Sequence, residues 1–250
     1  MTLTEEQLRR YARNISLTGV GKEGQEKLLK ARVLVIGAGG LGSPVISYLS
    51  AAGVGHIGIA DYDRVELSNL QRQILFETGD LGRLKVDAAK DRALELNPDV
   101  TITTYFEKID EGNIAKHVKD YDIVADGSDN FATRFAVNAA CHKEGKTLVS
   151  AAVRGFEGQV AVFKSHLGGD NPCYRCFVGG EPDDERGCRD VGVLGALTGI
   201  IGSMQAMEVL KELLALGESQ AGNLLLIDSL TLQVRKARIS RDPHCECCGK

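Results

Sequence analysis

The sequence lacks an excess of basic charge. Its 250 residues include 30 lysines and arginines against 34 aspartates and glutamates, which gives a formal net charge of −4. Proteins that bind nucleic acids rely largely on cationic side chains that attract phosphates, so this balance argues against a nucleic-acid partner. It does not argue against a small anionic ligand, because local geometry decides how one such molecule binds.

The sequence also lacks the features of a secretory leader and of a membrane span. Residues 1–6 are polar, and no basic segment followed by an apolar stretch is found there. The longest apolar run, residues 191–216, is interrupted by Gln205, Glu208, Lys211 and Glu212. A membrane-spanning helix needs about 20 predominantly apolar residues. We therefore expect a cytoplasmic protein without membrane attachment.

The cysteines do not have the pattern of a disulfide framework. There are seven of them, an odd number, and four form two Cys-x-x-Cys pairs, Cys173 with Cys176 and Cys245 with Cys248. In a cytosolic chain of this length, such spacing indicates metal binding or catalysis rather than disulfides.

The two cysteine pairs predict a structural zinc site. Each Cys-x-x-Cys turn lets two thiolates reach one ion, and two turns complete a tetrahedron with no open position. Such a site would join the chain end to its middle and stabilise the fold by closing a long loop. Cys247 is then surplus. The alternative is a set of free or redox-active dithiols.

A glycine-rich turn follows the first strongly apolar run, residues 33–36. Gly37, Gly39 and Gly42 fit the pattern G-x-G-x-x-G. This spacing gives a tight strand-to-helix turn whose backbone can approach a phosphate at the helix N-terminus. The alternative is an ordinary turn between a strand and a helix.

Strands and helices alternate over the first 153 residues. We predict helices at 41–52, 85–96, 110–119 and 131–144, between strands at 33–36, 56–61, 100–105, 122–126 and 147–153. This alternation is typical of a Rossmann-like, doubly wound, mostly parallel α/β sheet. Strands at 158–163, 223–228 and 232–239 then predict an antiparallel extension.

We therefore predict one domain over residues 1–250. It consists of N-terminal helices (1–31), a nucleotide-binding half (32–153), and a part that combines the antiparallel extension, a crossover loop and the zinc site (154–250).

Polar and charged residues follow the glycine turn at positions suited to a nucleotide. Asp61 lies about twenty residues beyond the glycines, where a carboxylate accepts hydrogen bonds from ribose hydroxyls. Asn69, Arg72 and Lys85 provide polar and cationic groups that suit a polyphosphate. The alternatives are a solvated aspartate at a strand end and ordinary surface residues.

Two further positions have a chemical and a simpler interpretation. Asp129 and Asn130 follow the fourth predicted strand, and a carboxylate beside a polyphosphate usually holds Mg²⁺. Either residue would also cap the next helix. Cys188 lies between Arg186 and Arg189, which favour its thiolate. It is either a nucleophile on a polar loop or an incidental cysteine.

Together these residues resemble a known family. The stretch 68–73 downstream of the glycines, Asp129 and Asn130 with Arg134, and the paired cysteines resemble the ThiF/MoeB/HesA group, the bacterial relatives of ubiquitin-activating enzymes. The resemblance extends over residues 13–249.

The resemblance implies ATP rather than NAD as the nucleotide. Members of the group adenylate the C-terminal glycine of a small ubiquitin-like sulfur carrier and release pyrophosphate, for thiamine or molybdenum cofactor synthesis. It implies that Asp61 binds the ribose, that Asn69, Arg72 and Lys85 contact the phosphates, and that Asp129 coordinates Mg²⁺. The full nucleotide set that it implies is Gly39, Gly40, Asp61, Asp63, Ser68, Asn69, Arg72, Gln73, Lys85, Ser128, Asp129 and Asn130.

The resemblance also implies partners. Arg13 matches an arginine that reaches into the active site of a second subunit, which implies a homodimer. Cys188 matches a loop cysteine that links covalently to the carrier in ThiF-like members. Because the chain ends soon after Cys248, without a rhodanese domain, we expect a separate protein to supply sulfur.

Two functions from other classes remain open at this point. Gly37 to Gly42 with Asp61 also fit an NAD-dependent oxidoreductase on a Rossmann fold. A nucleotide-sensing or zinc-stabilised scaffold without turnover is the second alternative.

Overall fold

The computed structural model describes residues 2–180 and 192–249. Within these ranges the chain forms an eight-stranded sheet. In chain order its strands are β1 (Arg32–Ile36), β2 (His56–Ala60), β3 (Thr101–Tyr105), β4 (Ile123–Asp126), β5 (Thr147–Arg154), β6 (Glu157–Phe163), β7 (Asn223–Asp228) and β8 (Gln233–Arg238).

The order of the strands is β3-β2-β1-β4-β5-β6-β7-β8. The first five strands run parallel, and β6, β7 and β8 continue the sheet in antiparallel pairs. The predicted fold class is thereby confirmed. Ile36 is in register with Ala60 on one side and with Asp126 on the other, so β1, β2 and β4 end at one edge of the sheet.

Helices cover both faces of the sheet. They are α1 (Glu5–Arg10), α2 (Ala12–Ile15), α3 (Gly21–Lys30), α4 (Gly42–Ala52), α5 (Lys85–Leu96), α6 (Ile114–Val118), α7 (Phe131–Lys143), α8 (Tyr174–Val178) and α9 (Gly195–Leu214). In the described ranges, no helix has both the length and the apolar character needed to cross a membrane.

The strand residues divide the core into two layers. Val33 and Val35 of β1 pack in one cluster with residues of α4, α5 and α9, whereas Leu34 and Ile36 pack in a second cluster with residues of α6 and α7. Because successive side chains of a strand point to opposite faces, a continuous apolar run is what a strand buried on both faces requires.

The elements differ from the predicted ones in two places. The helix expected at 110–119 shortens to α6, because the Asp110 and Asn113 side chains accept hydrogen bonds from the backbone N–H groups of Gly112 (2.8 Å) and Asp110 (3.0 Å). Such bonds favour a turn over a helix. Helix α8, which was not predicted, begins at Tyr174 between the first pair of cysteines.

Candidate functional site

A cavity of about 710 Å³ opens at the carboxyl ends of β1, β2 and β4. This is the edge at which open α/β sheets bind ligands. All twelve residues of the predicted nucleotide set border this cavity: Gly39, Gly40, Asp61, Asp63, Ser68, Asn69, Arg72, Gln73, Lys85, Ser128, Asp129 and Asn130. Their roles toward a nucleotide remain predictions.

The glycine turn at the base of the cavity requires glycine at two positions. Gly37 has φ of 87°, a left-handed conformation that other residues rarely adopt. A Cβ atom on Gly42 would lie 1.9 Å from the carbonyl oxygen of Gly37. Helix α4 therefore starts directly against the end of β1, and its N-terminus faces the cavity side of the sheet.

Asp61 is held rigidly beside this turn. Its Oδ2 accepts a hydrogen bond from the N–H of Ala38, and its Oδ1 accepts one from the N–H of Asp63, both at 2.8 Å. Burial raises the pKa of the Asp61 carboxyl, and the charge of Lys85 and these two bonds oppose the rise. The carboxylate retains lone pairs that a ribose hydroxyl can use.

Lys85 lies at the start of α5 and points its ammonium group into the cavity wall. Its Nζ is 2.8 Å from Oδ2 of Asp63, and its side chain is 5% exposed, whereas that of Asp63 is 48% exposed. A buried ammonium group is stable only with such a partner or with a bound anion. Since Asp63 reaches solvent, an anionic ligand has room to share the lysine.

The segment that carries Arg72 is shaped by its own backbone bonds. Residues Leu67–Asn69 form a short 3-10 helix, and Asn69 Oδ1 accepts a hydrogen bond from the N–H of Glu66 at 3.3 Å. Nη1 of Arg72 donates to the carbonyl oxygen of Ser68 at 3.1 Å. The half-buried guanidinium keeps further N–H donors for a phosphate.

The cavity wall also carries polar atoms that suit a bound ligand. Among the described residues, Oε1 of Gln73 and Oγ of Ser128 are buried and have no hydrogen-bond partner. Buried polar groups are rarely left in this state. Both residues border the cavity together with the cations Arg72 and Lys85, so the donor set fits a polar, anionic molecule such as ATP.

Asn130 serves as the cap of α7. Its Oδ1 accepts a hydrogen bond from the N–H of Thr133 at 2.9 Å, and its Nδ2 donates to Oδ1 of Asp129 at 3.4 Å. The capping alternative is thus correct for Asn130. Asp129 is exposed at the cavity edge, where a carboxylate oxygen can reach a cation.

Two predicted residues are not part of this cavity as described. Arg13 is exposed on α2, whose neighbour Asn14 donates from Nδ2 to the carbonyl oxygen of Ala52 at 3.4 Å. Ala52 is the last residue of α4, about 15 Å along the helix from Gly42. Arg13 therefore lies at the far end of α4 from the cavity of its own chain. Cys188 lies outside the described residues.

The four predicted zinc ligands come together in a separate cluster. Cys173, Cys176, Cys245 and Cys248 place their sulfur atoms within 4.8 Å of one another. The Sγ–Sγ distances are 3.6 Å for Cys173–Cys245, 3.4 Å for Cys176–Cys248 and 3.9 Å for Cys173–Cys176. Four thiolates at about 2.3 Å from one zinc ion are separated by about 3.8 Å, so the cluster fits this metal.

Cys247 packs against this cluster but is not one of the four residues whose sulfur atoms converge. Its Sγ accepts a hydrogen bond from Nδ2 of Asn138 at 3.3 Å. The sulfur atoms that converge are thus those of Cys245 and Cys248 with the first pair, and their role as zinc ligands stays a prediction. The sulfur separations are also far longer than the 2.05 Å of a disulfide, so the described cysteines are free thiols.

Some cavity residues escaped the sequence patterns. Thr198 packs where Gly40 would carry a Cβ atom, with its nearest atom at 3.1 Å, and its hydroxyl donates to the carbonyl oxygen of Arg72 at 3.4 Å. Glu107, after β3, also borders the cavity. Neither residue belongs to a motif. Arg134 belongs to the resemblance, but nothing in the sequence gives it a role.

The sequence is similar to known proteins over almost its whole length. The profile of the ThiF family matches residues 11–248. The chain is 46% identical over 253 residues to a sulfur carrier protein adenylyltransferase of Thermus thermophilus, covering 100% of this chain and 93% of the relative. It is 40% identical to the molybdopterin-synthase adenylyltransferase of Escherichia coli, covering 99% of each.

Some relatives are longer proteins that match this chain over only part of their own length. The adenylyltransferase and sulfurtransferase MOCS3 of Bos taurus is 45% identical over 99% of this chain, which spans 54% of that relative. The chain therefore spans about half the length of this type of relative.

Solved structures agree on the fold. E. coli MccB in complex with AMPCPP and MccA superposes with a TM-score of 0.85 at 23% identity, over 99% of this chain and 75% of that one. MccB with ATP superposes with a TM-score of 0.80 at 22% identity, over 96% and 73%. At this identity the likeness concerns the fold alone.

Proposed function

The chain belongs to the ThiF family, and from this membership we propose that it is an ATP-dependent adenylyltransferase acting on a ubiquitin-like sulfur carrier. One observation carries the proposal most strongly: the twelve residues of the nucleotide set, drawn from distant parts of the sequence, border a single cavity. Relatives that are 40% and 46% identical over nearly their whole length carry adenylyltransferase names. No relative reported above supports the oxidoreductase alternative.

In this proposal the cavity holds ATP with Mg²⁺. Asp61 accepts the ribose hydroxyls, and Gly39 and Gly40 let the backbone approach the phosphates. Asn69, Arg72 and Lys85 bind the triphosphate, and Asp129 would coordinate Mg²⁺. When bound, the metal would neutralise part of the phosphate charge. The contacts to the ribose and the triphosphate are made by the side chains of the protein.

The reaction needs little acid–base chemistry. A carboxylate oxygen of the carrier's last glycine attacks the α-phosphorus, the bond from that phosphorus to the β-phosphate oxygen breaks, and pyrophosphate leaves. The nucleophile is already an anion, so no general base is required. The obstacle is repulsion between two negative groups, and positioning with cationic stabilisation by Arg72 and Lys85 lowers it.

A surface beside the cavity suits the carrier. Phe156, at the tip of the β5–β6 hairpin, is 46% exposed, and Leu230 and Leu232, between β7 and β8, are 70% and 75% exposed. The two tips are joined because Ser229 donates from its N–H to the carbonyl oxygen of Phe156 at 2.9 Å. Gly155 pairs with Val193, which borders the cavity, so an apolar carrier face docked here would have its tail close to the site.

The remaining partners belong to the same proposal. The four-cysteine cluster holds a structural zinc ion. The protein acts as a homodimer in which Arg13, remote from the cavity of its own chain, completes the partner's site. A separate donor supplies sulfur, and Cys188 forms a link to the carrier. We also propose a cytoplasmic location, because free thiols of this kind persist in a reducing compartment.

Carrier-dependent exchange between ATP and labelled pyrophosphate tests the function. We expect exchange with a thiamine-type or a molybdopterin-type carrier that ends in Gly-Gly, and none with the same carrier shortened by its last glycine. The comparison of the two carriers also identifies the pathway. Absence of exchange with both carriers, while ATP still binds, would support the scaffold alternative and overturn the proposal.

A further inference from the structure

Arg134 is a buried cation at the back of the cavity. It lies on α7, is 5% exposed and borders the same cavity as Asp129. Nη1 donates to Oγ of Ser150 at 3.1 Å, and Nη2 donates to the carbonyl oxygens of Ala151, at 2.8 Å, and of Ser128. The guanidinium therefore joins the loop after β4 to β5.

These acceptors are all neutral. In the described part of the chain, no ion pair is found for Arg134, although burying a cation is costly without strong compensation. The fixed fork of a guanidinium matches this use, because its separate nitrogens reach acceptors on two segments at once. Its carbon Cζ also lies 6.0 Å from the ring centre of Tyr174, which packs it from the zinc side.

The contact with Ser128 fixes the residue that follows it. The carbonyl of Ser128 belongs to the peptide group that leads into Asp129. On the other side, the N–H of Ser128 donates to Oδ1 of Asp126 at 2.9 Å. The peptides before and after Ser128 are thus both held, and Asn130 is held as the cap of α7. The backbone on both sides of Asp129 is therefore fixed.

We propose that Arg134 is a positioning residue that sets the Asp129 carboxylate for Mg²⁺ and does not bind the nucleotide itself. The proposal rests on the role given to Asp129 in the proposed function. It predicts that Arg134 contributes only to the part of ATP binding that depends on Mg²⁺.

A double-mutant cycle on ATP binding tests this. Calorimetric titration of ATP, with and without Mg²⁺, is carried out on the full chain and on R134K, D129N and the double variant. We expect R134K to weaken binding with Mg²⁺ by about tenfold, the size of a lost charged hydrogen bond. Binding without Mg²⁺ should change less than about twofold, and R134K should add nothing in the D129N background.

R175K is the matched control. Arg175 also stacks on an aromatic ring of this region, with its Cζ 5.2 Å from the ring centre of Phe135, but its ion pair is with Glu246. R175K should leave both titrations unchanged. Should R134K fail to give a cooperative thermal transition, S150A removes one acceptor of Arg134 and keeps the arginine. S150A should weaken binding with Mg²⁺ alone, in the same direction.

Two results would overturn the proposal. Equal losses with and without Mg²⁺ would mean that Arg134 binds the nucleotide directly, and additive effects of R134K and D129N would mean that it does not act through Asp129. The carrier assay separates this from the proposed function. If the cycle gives the expected coupling while no carrier supports exchange, the carrier function is wrong and the role of Arg134 stands.

Discussion

The cavity and the four-cysteine cluster are built in opposite ways. The cavity collects side chains from many segments, and it leaves buried polar atoms such as Oε1 of Gln73 without a partner among the described residues. The cluster uses two short turns, 72 residues apart at Cys173 and Cys245, and its ligand atoms face one another. The first arrangement suits a ligand that enters and leaves, and the second suits an ion that stays.

Replacement of a cavity residue should have the largest effect on activity. D129A and R72A should each lower carrier-dependent pyrophosphate exchange by about a hundred- to a thousandfold, because each removes a group that stabilises charge in the transition state. Their thermal unfolding should remain close to that of the parent chain.

D87A is the control for this pair, because Asp87 is an exposed carboxylate on α5 outside the cavity. It should retain full exchange. Full activity of D129A or R72A would show that the cavity is not used as proposed. The cavity would then no longer differ from the cysteine cluster in serving activity rather than stability.

Replacement of a cysteine should affect stability rather than chemistry. C245S removes one proposed zinc ligand, so we expect loss of about one zinc per chain and a fall in Tm of at least about 10 °C. C247S, whose sulfur lies outside the ligand group, should keep its zinc and its Tm. Metal analysis and calorimetry measure both quantities.

The opposite result would change the comparison. If C247S loses zinc and C245S does not, the ligand set is wrong. If C245S keeps its fold at low temperature but loses pyrophosphate exchange there, the cluster supports the cavity and is more than a stabilising site.

Two glycines near helix starts should respond differently to alanine. G42A places a Cβ atom 1.9 Å from the carbonyl oxygen of Gly37, whereas a Cβ atom on Gly199 of α9 meets nothing within 4 Å. We expect G42A to lower the free energy of unfolding by about 2–4 kcal/mol. G199A should raise it by up to about 1 kcal/mol, because alanine is the better helix former.

Urea unfolding of both variants makes the measurement. G42A should in addition weaken ATP binding, since its clash lies in the turn that shapes the cavity. Equal and small effects of the two substitutions would mean that the turn at Gly37 relaxes easily.

Sequence patterns were sufficient to predict features that depend on short motifs and their spacing. The alternation of apolar runs predicted the parallel strands, and the turn at Gly37 with the spacing to Asp61 predicted one edge of the cavity. The two separate cysteine pairs predicted the four-cysteine cluster. In each case a few adjacent residues carry the physical requirement, such as the lack of room for a Cβ atom at Gly42.

Features that depend on distant contacts were not predictable in this way. Thr198 borders the cavity only because the N-terminus of α9 packs on Gly40 and on the segment of Arg72. The hydrogen bonds of Arg134 depend on the pairing of β4 with β5, which brings Ser128 and Ala151 within reach of one guanidinium. No spacing within the sequence records such neighbours.

The smallest expected effect is a dependence of ATP affinity on pH, through Asp61. Burial raises the pKa of this carboxyl above the ordinary value of 3.8. As pH falls, Asp61 is therefore protonated earlier than an exposed aspartate, and a protonated carboxyl loses acceptors for ribose hydroxyls. Folding stability in the absence of ligand changes in the opposite direction. The folded state takes up this proton more readily than the unfolded state, so Asp61 favours folding as pH falls.

Titrations of ATP at successively lower pH values should thus show affinity falling in the parent chain as Asp61 is protonated, by up to about tenfold in all, the size of a lost charged hydrogen bond. Because ATP and Mg²⁺ respond to pH as well, the informative quantity is the difference in slope between the parent chain and D61N. D61N should bind more weakly at neutral pH and show the smaller slope. Equal slopes would mean that Asp61 does not titrate in this range, and that the cavity, like the cysteine cluster, presents fixed ligands to its occupant.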